Sequence, residues 1–137
     1  MQTILSDKNC ERQAHLIFYA FLSLDLHEIA PLKLSVFKDV GLSDDADDET
    51  VWRFCQKNKY LLLTGNRRAV DGDISLEITT RRLLQETSLP VLTIGNLDRT
   101  LHDRSYCEQC ANRLAEIVFD LDEKYLGITR LYLPNSG

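Results

Sequence analysis

Thr3-Ile4-Leu5-Ser6-Asp7, Leu61-Leu62-Leu63-Thr64-Gly65-Asn66 and Val91-Leu92-Thr93-Ile94-Gly95-Asn96-Leu97-Asp98 decide the reading of this chain. Each is a short apolar run that breaks into polar residues at the same relative place. Runs of this length, separated by helical patterns, read as strands buried in a parallel sheet. Parallel strands share one direction, so Asp7, Asn66 and Asp98 are expected at one edge of one sheet. Open α/β sheets bind ligands at that carboxyl edge. Carboxylate and amide oxygens gathered there suit a hard divalent cation better than an apolar ligand.

Working outward, five strands alternate with four helices. The strands are expected at 2–6, 32–37, 60–64, 90–94 and 130–133. The first helix spans 11 to about 24, with Ala14, Ile17, Phe18, Phe21 and Leu22 at helical spacing. The acidic segment 43–49 supplies N-cap candidates for a second helix carrying Val51, Trp52 and Cys55. A third starts near Ser75, with Leu76, Thr80, Leu83 and Leu84 on one face. The last runs from about Arg104 to Tyr125. This alternation predicts a three-layer α/β/α sandwich on a mostly parallel five-stranded sheet. Alternation does not fix strand order. The order 3-2-1-4-5, taken as the expectation, makes neighbours of the strands ending in Asp7 and Asp98; 2-1-3-4-5 would pair Asp7 with Asn66.

The length of 137 residues fits a single domain spanning 1–137, and 44% apolar with 27% charged residues is ordinary for a water-soluble fold. No apolar stretch reaches the roughly 18 residues of a membrane span, and no signal-peptide pattern opens the chain. The expectation is a cytoplasmic protein with no membrane partner, its four cysteines reduced. The net charge of −5 argues against broad, non-specific nucleic-acid affinity. Charge is nonetheless segregated: residues 39–50 hold six acids and no base, whereas 53–82 hold seven bases against three acids.

Phosphodiester chemistry on a divalent ion needs several carboxylates converging from separate segments. The candidates are Asp7 after the first strand, Asp48 (beside Asp47) opening the second helix, and Asp98 after the fourth strand. Asn66 after the third strand, and Asp73 and Glu77 around the start of the third helix, are further candidate ligands. Turn or cap duty is the competing role for Asp7 and Asp73, and a solvated helix start for most of the acids from Asp44 to Glu49. Arg67 and Arg68 fall at the same expected edge, where a guanidinium fork can hold phosphate or RNA; a solvated loop is the alternative. Cys107-x-x-Cys110 matches the inner stripe of a helix better than a zinc or redox pair. His15 and His27 have no partners at metal or nucleophile spacing. No phosphate-binding glycine loop is present, which argues against a nucleotide-driven enzyme.

Ile4-Leu5-Ser6-Asp7-Lys8-Asn9, the strand end near Asp39-Val40-Gly41-Leu42, the helix opening Asp47-Asp48-Glu49-Thr50-Val51 and Leu61-Leu62-Leu63-Thr64 together resemble the PIN-like nuclease superfamily over residues 2–100. The small bacterial PIN-like proteins of uncharacterised function are the nearest in pattern. The resemblance implies an α/β/α sandwich and a Mg²⁺- or Mn²⁺-dependent RNA endonuclease, with Asp7, Asp48 and Asp98 as the catalytic and metal-holding acids. It also implies a possible toxin–antitoxin context. The chain departs at Thr64-Gly65-Asn66, where relatives show Thr-x-Asp: Asn66 offers an oxygen but no charge. A catalytically silent PIN-like module, pairing with an antitoxin-like protein or with itself, is therefore the second expectation. A phosphoacceptor receiver domain fits less well, because it needs an acidic pair at the first strand, an Asp after the third and a Lys after the fifth.

Overall fold

The computed structural model describes residues 1–65 and 72–135, with the side chains of 72–75 outside the description. The strands β1 (Gln2–Ser6), β2 (Leu32–Ser35), β3 (Leu61–Gly65), β4 (Val91–Ile94) and β5 (Arg130–Leu133) form one sheet. Every neighbouring pair is parallel. The helices are α1 (Glu11–Ser23), α2 (Phe37–Val40), α3 (Asp48–Asn58), α4 (Gly72–Leu83), α5 (Leu97–His102) and α6 (Arg104–Phe119). The α/β class and the parallel five-stranded sheet are as the alternation predicts.

The strand order differs. It is β2-β1-β3-β4-β5, so β3 lies between β1 and β4 and the expected order 3-2-1-4-5 is corrected. The register makes the physical reason visible. Ile4, Leu5 and Ser6 stand opposite Leu61, Leu62 and Leu63. All six are buried, and the fully buried run of β3 takes the centre of the sheet, with β1 on one side and the fully buried β4 on the other. The more polar β2, with exposed Lys33, and β5, with partly exposed Arg130, take the edges.

Period-two alternation divides each central run between two cores. Ile4, Leu61, Leu63, Leu92 and Ile94 face α1 and α6, where Ala14, Ile17, Phe21, Cys110 and Leu114 complete one cluster. Leu5, Leu62 and Val91 face the other way, onto Val51, Trp52 and Cys55 of α3 and Leu76 of α4. Burying one such leucine side chain stabilises by about 2 kcal/mol. Successive leucines in Leu61-Leu62-Leu63 thus hold helices onto opposite faces.

Several boundaries move for local reasons. The second strand stops at Ser35 rather than at 37, because the Asp39 carboxylate accepts the Val36 N–H at 3.0 Å and starts a helical turn. Gly41, at φ +76°, ends that turn, a conformation that costs glycine little. A short helix the sequence reading omits, α5, opens on Asn96, whose side chain accepts the Arg99 N–H at 3.0 Å. Leu97 of α5 packs where Gly65 has no side chain; a Cβ there would stand 2.5 Å from Leu97 Cδ1. The last helix ends at Phe119 and continues as a separate wide turn, Leu121–Tyr125. Among the described residues, no helix is long and apolar enough to cross a membrane.

Candidate functional site

The chain reverses its lateral direction between β1 and β3. From β1 it steps outward to β2, then returns past β1 to begin β3. Helices covering the two halves diverge at such a switch point and leave a crevice beyond the strand carboxyl ends, where open α/β sheets bind ligands. A cavity of about 280 Å³ lies there, lined by Asp7 and Lys8 after β1, Leu62 and Thr64 of β3, Asp44, and Asp48 opening α3. Phe37, Val51 and Leu76 form its apolar wall.

Asp7 is held by its own backbone. Its N–H donates to Leu63 O at 2.8 Å, extending the β1–β3 ladder by one rung. Its carbonyl accepts from Ser6 Oγ at 2.9 Å and from the Cys10 N–H at 3.2 Å. The carboxylate of Asp7 accepts from Thr64 Oγ1 at 3.4 Å, a contact between the ends of β1 and β3. Buried Cys10 fixes the following turn, its Sγ 3.5 Å from Leu63 O. A carboxylate so anchored keeps its position without depending on a mobile loop.

Asp48 reaches the cavity because Asp47, not Asp48, caps α3. The Asp47 side chain accepts the Thr50 N–H at 2.8 Å. The Thr50 side chain first, and this N–H second, hold the Asp47 carboxyl below the usual range by favouring the charged form. Glu49 turns outward to Arg53, at 3.0 Å, and to Arg82 of α4. These two guanidiniums likewise lower the Glu49 carboxyl. The consecutive acids thereby separate into a cap, a cavity group and an inter-helix tie.

The cavity brings together Asp7 and Asp48 of the expected acids. Asp98 is elsewhere. It follows β4, which β3 separates from β1, and two strand spacings amount to roughly 10 Å. It is also exposed in the first turn of α5 and does not line the cavity. Glu77 is outside the lining too, paired with Arg81 at 3.0 Å on the exposed side of α4. Asn66, Arg67 and Arg68 lie outside the described residues, as does the side chain of Asp73. The order β1–β3 makes neighbours of the strands that end in Asp7 and lead to Asn66, the pairing attached to the second of the two strand orders weighed above.

Lys8, Asn9 and Asp44 also line the cavity, in addition to the expected Asp7 and Asp48. For Lys8 a signal was present, because a residue directly after an edge Asp must also sit at the edge. Asp44 is legible only as one acid of the run from Asp44 to Glu49; it lies in the turn in which the Ala46 N–H donates to Ser43 O at 3.0 Å. Among described lining residues there is neither histidine nor cysteine, so the donors are carboxylate, hydroxyl and amide oxygens. That set fits Mg²⁺ or Mn²⁺ rather than zinc or copper.

On the opposite edge of the sheet, ligand-type atoms of Asp25, His27 and Glu28 lie within 4.8 Å of one another on the exposed turn before β2. The acids around the cavity do not form so closed a trio among the described residues. Magnesium commonly uses one or two carboxylates and fills its other positions with water and substrate oxygens. The open arrangement is compatible with that habit.

Cys107-x-x-Cys110 lies on the buried stripe of α6, as its spacing predicts. Cys107 Sγ donates to Thr100 O at 3.1 Å. Burial raises both thiols above their usual range, Cys110 to about 12. No family model matches the chain, and neither the curated proteins nor the solved structures give a match.

Proposed function

We propose that this chain is a PIN-like, Mg²⁺- or Mn²⁺-dependent RNA endonuclease whose working site is the cavity between the ends of β1 and β3. The observation that supports it is the meeting of Asp7 and Asp48, forty-one positions apart in sequence, in one polar crevice at the topological switch point. The resemblance in sequence supplies the reaction class. The expected strand order is not part of that support.

In this reading Asp7 and Asp48 hold the cation, with Thr64 fixing the Asp7 carboxylate by its hydroxyl. The bound ion would supply Lewis-acid activation of a water and neutralisation of charge on a phosphodiester. The apolar wall of Phe37, Val51 and Leu76 limits water on one side and strengthens electrostatic interactions at the acids. Asp98, lying outside the crevice, has no direct part.

The test is cleavage of a mixed-sequence single-stranded RNA with Mn²⁺, beside Mn²⁺ binding by calorimetry. Asp7→Asn and Asp48→Asn should each lower kcat by a factor of 100 or more and weaken Mn²⁺ binding. Unchanged binding and cleavage in both variants overturns the reading. Protein that leaves RNA intact and co-purifies with one partner points to the silent interaction module. The receiver alternative has the order 2-1-3-4-5 in its favour, but the chain lacks the residues its chemistry needs. Thr64-Gly65-Asn66 offers no Asp after β3, and Leu133-Pro134-Asn135 no Lys after β5.

A further inference from the structure

We infer that Lys8 is the phosphate-positioning residue of this cavity and that Asp44 holds its ammonium there until a polynucleotide phosphate displaces the carboxylate. The inference rests on the nuclease reading for the polynucleotide as ligand. Lys8 immediately follows Asp7 and opens the short turn Lys8–Cys10. That turn is pinned to the sheet by the Cys10 N–H to Asp7 O and by buried Cys10. The Lys8 backbone is therefore fixed relative to Asp7, and its four-carbon stem rises from the cavity wall.

Lys8 Nζ stands 3.4 Å from Asp44 Oδ2, and both groups line the cavity. The pair is open to water, with 48% and 72% of the two side chains exposed. Exposed ion pairs of this kind hold weakly, so a phosphate oxygen can replace Asp44 at small cost. The described lining has three carboxylates, Asp7, Asp44 and Asp48, against one cation, Lys8. Among the described lining residues, a polyanion approaching those acids meets its one attractive charge at Lys8. The Lys8 ammonium thus offers the backbone a docking point on this lining, while a divalent cation is left to Asp7 and Asp48. Lysine suits the task as a point charge that can follow a moving phosphate.

The two partners then act with opposite signs. Lys8→Met should weaken binding of a fluorescent single-stranded RNA about five- to tenfold, measured by anisotropy with Ca²⁺ present to suppress turnover. It should also flatten the dependence of log Kd on log salt by about 0.7, the share of one phosphate contact on a single strand. Lys8→Arg should restore both. Asp44→Asn should tighten RNA binding two- to fivefold, because it releases the lysine and removes a repelling charge. Mn²⁺ affinity, measured separately without RNA, should not fall in Lys8→Met.

A salt slope unchanged in Lys8→Met overturns the inference, as does a loss of affinity in Asp44→Asn equal to that in Lys8→Met. The second result would mean that the pair only braces the turn. Absence of RNA binding by the unaltered protein also overturns it. Failure of the nuclease reading shows differently, as Mn²⁺ affinity indifferent to Asp7→Asn, whatever Lys8 does.

Discussion

Asp47, Asp48 and Glu49 are consecutive and turn to three different neighbours: the Thr50 N–H, the cavity, and the guanidiniums of Arg53 and Arg82. Sequence alone names all three as helix-start acids and Asp48, with Asp47 beside it, as a candidate ligand; which of the neighbours caps the helix and which faces the cavity depends on the fold. The cysteines were more readable, because spacing places them on buried stripes. Burial of the thiol disfavours thiolate, raising Cys55 and Cys110 to about 12 and Cys107 in the same direction. At pH 8 a thiol of that kind is thiolate in about one molecule in ten thousand. All four cysteines are buried, so Ellman's reagent should leave the native protein essentially unlabelled at pH 8 and titrate all four thiols in guanidinium. The same shift has a stability consequence. Below the ordinary thiol value of 9.0 both folded and unfolded chains keep the proton. Above it the unfolded chain alone loses protons, so urea midpoints should fall between pH 9 and about 12. Cys110→Ala should reduce that fall.

At the scale of elements, caps explain most of what the sequence reading placed wrongly. An apolar run followed by Asn or Asp announces a strand end and a helix start equally, and Asn96 and Asp103 are caps of α5 and α6. Asp98 follows an apolar run that announces a strand end, while the six-residue helix that carries it is too short to show a helical period in the sequence. Asp39 likewise ends β2 early by capping rather than by any break in hydrophobicity. The Asp47 cap gives a measurable consequence. Asp47→Ala should lower Tm by roughly 3 °C at pH 7, the usual size for a lost N-cap. The Asp47 carboxyl is held below its ordinary 3.8 in the folded chain. Its contribution is complete above 3.8 and disappears as pH falls through the lowered folded value. The difference in Tm between Asp47→Ala and the unaltered protein should accordingly shrink as pH falls below 3.8. A constant difference down to pH 2 would mean that the cap bond does not depend on the charge of the carboxylate.

At the scale of the whole molecule, the alternation of strands and helices was legible and their lateral order was not. Each βαβ unit reports only that the next strand is parallel; which side it joins depends on the packing of both faces together. Leu61-Leu62-Leu63 feeds both cores and needs a central place, which β1 and β4 give it on either side. That placement draws Asp7 toward Thr64 and leaves Asp98 a strand further away. The two acids can be told apart by stability without any activity assay. A ligand that binds only the folded chain stabilises it by RT ln(1 + [L]/Kd), about 2.7 kcal/mol at one hundred times Kd. For a chain of this size that corresponds to a rise in Tm of roughly 5–10 °C. Saturating Mn²⁺ should produce such a rise in the unaltered protein, and EDTA should reverse it. Asp48→Asn should remove most of the rise, because one of two charged ligands is gone. Asp98→Asn should keep it within about 1 °C, because its exposed place on α5 is outside the crevice. The reverse pattern, with Asp98→Asn losing the rise and Asp48→Asn keeping it, would move the cation away from the β1–β3 crevice and toward the end of β4.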